Sequence, residues 1–182
     1  MGALHDGFFT DGQGWYARIV RNHAFDTRLS LEEDPSRKQV IPYVVISDGN
    51  AIFVTARKST QNEARLHGKL SIGVGGHINE DDVRAENDAI RAGMMRELHE
   101  ELRIVCDTDP RFCGFINDDS NPVGRVHLGA VFFVIAQAGS VSVNETEKMD
   151  GASGCPGTHS MANATGLRPG QTLCSTRRSV DG

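Results

Sequence analysis

RELHEEL, residues 96–102, sets four charged side chains around two leucines and a histidine. A charged stretch on a helix is ordinarily a solvated face, so its surroundings must decide whether it does more. Upstream, Ile90, Met94, Leu98 and Leu102 recur at helical steps, and Asn87 or Asp88 offers an N-cap, which predicts a helix from about Asp88 to Leu102. At about 100° per residue, Glu97, Glu100 and Glu101 fall on adjoining stripes of that helix. Like charges so placed repel by a few tenths of a kcal/mol per pair, roughly, and Arg96 cannot neutralise three acids. A hard divalent cation can, because Mg²⁺ and Mn²⁺ take oxygen ligands and share carboxylates. Met94, Met95, Leu98 and Leu102 supply the opposite, apolar face, which would dock the helix on a sheet.

That sheet is readable on either side. VIPYVVIS-DGN-AIFVTARK is two β-branched and aromatic runs around an Asp-Gly turn, a hairpin with strands near Val40–Ser47 and Ala51–Ala56. KLSIGVGGHI reads as a short third strand entering a glycine turn at Gly73, Gly75 and Gly76, and NEDDVRAEN as an acidic loop. After the helix, RIVCDTDPRFCGFIN and VGRVHLGAVFFVIAQ predict two more strands around a DDSNP turn. Strands flanking one long helix imply an α/β fold with a mixed sheet.

A glycine turn, a loop and a helix ending R-E-L-x-E-E form a rare combination. From Gly75-Gly76-His77 through Arg96–Ile104 the chain resembles the Nudix box, G-x5-E-x7-R-E-U-x-E-E-x-G-U, where U is a large aliphatic residue. The R-E-U-x-E-E half matches at every specified position. The stretches KQVIPYVVI (38–46) and RLHGKLSIGVGGHIN (65–79) are particularly like the bacterial MutT-type phosphoesterase group of that family. The resemblance covers roughly residues 40–150 and implies a Nudix-type α/β/α sandwich. Two departures stand out. The gap between glycines and helix is long, so counting back from Arg96 puts Asp88 at the first glutamate, with Glu86 as a substitute. Arg103 stands where the family has glycine, which costs on the order of 1 kcal/mol if the backbone there is left-handed.

The resemblance implies an Mg²⁺- or Mn²⁺-dependent hydrolase of a diphosphate linkage in a nucleoside diphosphate joined to another moiety. Glu97, Glu100 and Glu101 would hold the metal with a backbone carbonyl of Gly75 or Gly76. Arg96 would orient them, and Asp88 would brace the loop or reach the metal through water. The general base would be Glu97, or Glu145 or Glu147 in the loop after the last strand. Arg57, Arg65 and His77 are candidates for substrate phosphate, with surface solvation as the alternative; Phe8, Phe9 and Trp15 belong to core packing by default. The rival reading is a Nudix-fold module that binds or senses a nucleotide without turnover.

Bulk properties fit a small-molecule partner. Lys+Arg 19 against Asp+Glu 24 gives a net charge of −5 over 182 residues, with no basic stripe for a nucleic-acid backbone. The longest apolar run, Ala130–Ala136, is too short for a membrane span, and no secretory signal opens the chain. The four cysteines have neither C-x-x-C nor zinc spacing, which suits a reducing cytoplasm. A homodimer stays open.

Three regions are expected: an N-terminal extension over residues 1–38, helical near Gln13–Ala24; a Nudix domain over 39–150; and an irregular tail over 151–182. The tail has no aromatic residue and no acid before Asp181, so burial cannot offset its ordering entropy. Disorder is one account. A frameshifted terminus is the other, since synonymous codons one base earlier permit an ending with aromatics and acids restored.

Overall fold

A computed structural model describes residues 4–11, 14–57, 70–85, 87–144 and 149–154, with backbone alone for Arg57, Ala85, Ser153 and Gly154. The main sheet is built from β1 (Gly7–Phe9), β2 (Gln39–Ser47), β3 (Ile52–Arg57), β4 (Leu70–Ser71), β5 (Gly73–Val74), β7 (Arg111–Asn117), β8 (His127–Ile135) and β10 (Met149–Gly154). Its order is β1-β7-β8-β2-β3-β10, with β5 added to β2 and β4 to β3. β2 and β8 run parallel from Gln39↔His127 to Ser47↔Ile135, and every other pair is antiparallel. The sheet is therefore mixed, as expected. A two-stranded ribbon joins β6 (Leu102–Arg103) to β9 (Ser142–Val143).

The β2–β3 hairpin forms where the Asp-Gly turn predicts it. Asp48 Oδ1 accepts the N–H groups of Asn50 and Ala51 at 2.9 and 2.7 Å, closing the turn with its own side chain. Alternation along the strands then sorts side chains onto two faces. Val44, Ile46, Phe53, Leu128, Ala130, Phe132 and Val134 face α4 (Ala89–Glu101), which buries Ile90, Met94 and Leu98 against them. Burying each of these large side chains is worth about 1.5–3 kcal/mol. Tyr43, Val45, Val54, Val131 and Phe133, with Ile72 from the bend between β4 and β5, form a second cluster on the other face.

Three expectations gain detail. The partly helical residues 1–38 pack onto the rest of the domain: β1 pairs with β7, and α1 (Trp15–Asn22) lays Trp15, Tyr16, Ile19 and Val20 on the main core. Phe9 and Trp15 pack against that core and Phe8 against the second cluster, in keeping with the packing default. Residues 151–154, grouped by composition with the tail, continue β10 as far as Gly154↔Ile52 on β3. Residues 155–182, and with them the question of disorder or frameshift, lie outside the described residues. Lastly, the acidic stretch contains a helix, α3 (Glu80–Ala85). Asn79 stands at its N-cap and the Asp82 carboxylate reaches back to the Asn79 N–H at 2.7 Å, half of a capping box. Glu80, Asp81 and Asp82 also place negative charge in the first turn, where the helix dipole favours it. Among the described residues there are two further short helices, α2 (Arg28–Glu32) and α5 (Pro122–Val126).

Candidate active site

The glycine turn and α4 meet at Gly76. A Cβ there would run into the carboxylate of Glu97, and one at Gly75 would strike the carbonyl oxygen of Pro42. The two glycines are therefore explained by close approach: Gly75 lets the chain press onto β2, and Gly76 leaves room for the Glu97 head group. Glu97 is largely enclosed, with 15% of its side chain exposed.

Arg96 organises what surrounds it. Its Nη1 donates to Glu97 Oε1 at 2.9 Å and to Glu100 Oε2 at 3.0 Å. Its Nε and Nη2 bond both carboxylate oxygens of Asp82, at 3.0 and 3.1 Å, and Nη2 also donates to the His77 carbonyl at 2.7 Å. One planar guanidinium thus fixes the glycine turn, α3 and two acids of α4. The hydrogen bonds with Asp82, then with Glu97, raise the Arg96 pKa well above its ordinary value, outweighing partial burial. Burial pushes the Asp82 pKa up, but hydrogen bonds from Arg96 and the Asn79 N–H overcome it and leave a net lowering.

Asp82 corrects the reading of the motif. It lies six residues after Gly76, the spacing the family pattern has between its glycine and first glutamate, so the extra residues fall after Asp82. Asp88 is tied instead to the start of α4 and to α1. Its Oδ1 caps α4 by accepting the Arg91 N–H at 3.1 Å, and its Oδ2 accepts the Tyr16 hydroxyl at 2.9 Å. Asp82 is only 5% exposed, and a buried carboxylate with a bidentate arginine is what sequence counting missed. Its aspartate three residues after Asn79, the capping-box spacing, was the available signal.

Arg103 also resolves. α4 ends with Leu102 already extended (φ −132°, ψ 146°), and no non-glycine residue among those described has positive φ. The helix passes directly into β6, so the missing glycine carries no conformational cost. Asn144 takes over the helix end: its Nδ2 donates to the carbonyls of His99 and Glu100 at 3.0 and 3.4 Å, and its N–H to that of Glu101 at 2.8 Å.

The structure thus brings together Arg96, Glu97, Glu100, Gly76 and the His77 backbone. Glu100 is well exposed, while Glu101, at the last helical position, is 9% exposed. Among the described residues no three Asp, Glu, His or Cys side chains converge as metal ligands do, since Arg96 gathers Glu97 and Glu100 to itself. Glu97 and Glu100 nonetheless offer carboxylate oxygens, the donor type a hard cation takes, beside one guanidinium. His77 stacks edge-on with His127, ring centroids 5.7 Å apart. Arg57 is described by backbone alone at the end of β3, and Arg65, Glu145 and Glu147 lie outside the described residues.

A mixed sheet, one docked helix and a glycine turn against a helical glutamate define the α/β Nudix architecture. Comparison with known proteins agrees. No family model matches the chain. The crystal structure of Tm1382, placed among the Nudix hydrolases, superposes with TM-score 0.70 at 31% identity over 82% of this chain and 76% of that one. Protein YmaB of Bacillus subtilis is 41% identical over 128 residues, 68% of this chain, which spans 62% of the length of that relative. A bifunctional NMN adenylyltransferase/ADP-ribose pyrophosphatase from Francisella tularensis, complexed with AMP and a Mn ion, matches at TM-score 0.47 and 15% identity over 79% of this chain and 38% of that one, too remote to inform chemistry. The chain belongs to the Nudix hydrolase family.

Proposed function

We propose that this protein is a divalent-metal-dependent hydrolase of a diphosphate linkage, acting on a nucleoside diphosphate joined to a second moiety. The observation that carries the proposal is the Arg96 contact set, which presents Glu97 against Gly76 and keeps Glu100 beside it. Asp82, Glu97 and Glu100 outnumber the one guanidinium they share, so the site has a negative excess that suits a cation and, through it, a polyanionic substrate. Mg²⁺ or Mn²⁺ held by Glu97, Glu100 and Glu101, with a carbonyl of Gly75 or Gly76, would neutralise the diphosphate and acidify a water nucleophile.

The chain's own residues do the rest. Arg96 keeps Glu97 in one orientation through Oε1, leaving Oε2 to hold a ligand or take a proton from water. Asp82 keeps Arg96 from turning away. Glu145 and Glu147 remain alternative bases, and Arg57, Arg65 and His77 candidate phosphate contacts. A cytoplasmic setting belongs to the same reading, supported by cysteine spacings in the sequence that match neither C-x-x-C nor a zinc site. Among the described residues no helix is long and apolar enough to cross a membrane. Assignment to the MutT-type phosphoesterase group rests on the sequence of residues 38–46 and 65–79.

A panel of diphosphate substrates with Mg²⁺ or Mn²⁺, run beside Glu100→Gln and Glu101→Gln, tests the proposal. Turnover abolished by chelator and reduced by at least about tenfold in both variants is expected. Unchanged turnover in both would sink the mechanism, and metal-free, turnover-free nucleotide binding by the parent would favour the sensing module.

A further inference from the structure

The last turn of an α-helix leaves four carbonyls without partners inside the helix, and here two of them belong to the candidate metal ligands Glu100 and Glu101. The Leu102 N–H answers Leu98 O. The other three, on His99, Glu100 and Glu101, are all answered by Asn144, through Nδ2 at 3.0 and 3.4 Å and its backbone N–H at 2.8 Å. Its remaining side-chain atom, Oδ1, accepts Arg103 Nε at 3.2 Å. Asn144 directly follows β9, whose Ser142 and Val143 pair with Arg103 and Leu102. A residue more than forty positions away therefore closes the helix where it passes, with no left-handed residue, straight into β6.

We propose that Asn144 is a positioning residue for Glu100 and Glu101. It does what a helix-ending glycine does elsewhere, holding the final turn so that both carboxylates keep a fixed relation to Glu97. A Schellman or left-handed ending satisfies late carbonyls from the helix's own next residues. This chain has Arg103 in extended conformation and recruits the amide from β9 instead, with Arg103 itself clasping that amide. Loosening this closure lets the last turn fray, and metal affinity falls even though no ligand has been removed. The inference rests on the proposed metal-dependent function.

The test is Mn²⁺ affinity by electron paramagnetic resonance, with thermal unfolding followed in parallel, for the full chain and three variants. Asn144→Ala removes both side-chain donor contacts, and about tenfold weaker Mn²⁺ binding is expected. Asn144→Asp keeps the shape and the Arg103 contact but turns an acceptor toward the His99 and Glu100 carbonyls. It should weaken binding at least as much in a protein that stays folded. Adding Arg103→Gly to Asn144→Ala supplies a residue able to end the helix on its own, and affinity should partly return. Mn²⁺ affinity equal to the parent in both single variants, whatever happens to the melting temperature, would overturn the positioning role while leaving the hydrolase reading intact. Failure of the parent to bind Mn²⁺ would overturn the metal-dependent reading, and the inference with it.

Discussion

Arg96 and Asp82 form the contact on which the site's geometry turns. Asp82→Asn keeps the side chain's shape and removes its charge. Arg96 stays partly solvated and keeps its other acceptors, so the expected loss is about 1–3 kcal/mol, smaller than for a fully buried pair. Urea unfolding measures it, and a change within about 0.5 kcal/mol would contradict the role. The pH dependence has a definite sign. Folding lowers the Asp82 pKa from its ordinary 3.8, so the pair's contribution is complete above that pH and disappears as the pH falls through the lower folded value. The urea midpoint should therefore decline more steeply in acid for the parent than for Asp82→Asn. Gly76→Ala makes the complementary prediction, since its methyl group would displace the Glu97 carboxylate. A displacement of about 1 Å at a reacting group costs on the order of a hundredfold in turnover, with kcat falling and the fold retained by circular dichroism.

Elements differ in how much of them local sequence determines. The β2–β3 hairpin and α4 were legible because their causes are local: an Asp that closes its own turn, an N-cap at Asp88, and apolar residues at helical steps. α3 was not, because nothing in its six residues forms an apolar stripe; it is held by Asn79, and by Arg96 from fourteen positions away. β1 is three residues long, and residues 151–154 are Gly, Ala, Ser and Gly, so both strands exist only through their partners on β7 and β3. Asn144 was equally silent, since an asparagine among polar residues says nothing of the helix end it will meet. At this scale Met94→Ala should cost about 2–5 kcal/mol, because Met94 is fully buried between α4 and the sheet. Tyr16→Phe removes the hydroxyl bonded to Asp88 and should cost about 1 kcal/mol, a sign that α1 is part of the folded unit. Both are read from chemical denaturation, and a silent Tyr16→Phe would detach α1 from that account.

Across the whole molecule, the parallel β2–β8 pair and the helix docked on it provide a rigid floor. The turn leaving β5, the short α3 and the closure by β9 converge on one end of α4. The acids of residues 96–102 were legible as a candidate metal site, whereas the contacts that aim those acids come from three other segments and required the fold. The central proposal is that Glu97, held by Arg96 against Gly76, and Glu100, held beside it by the same arginine, bind the divalent cation that activates a diphosphate. Its most direct test is Mn²⁺ binding to the parent beside the double variant Glu97→Gln, Glu100→Gln. Saturable binding in the parent, weakened at least about a hundredfold in a folded double variant, is the predicted result. Equal Mn²⁺ affinity in the two proteins would contradict it.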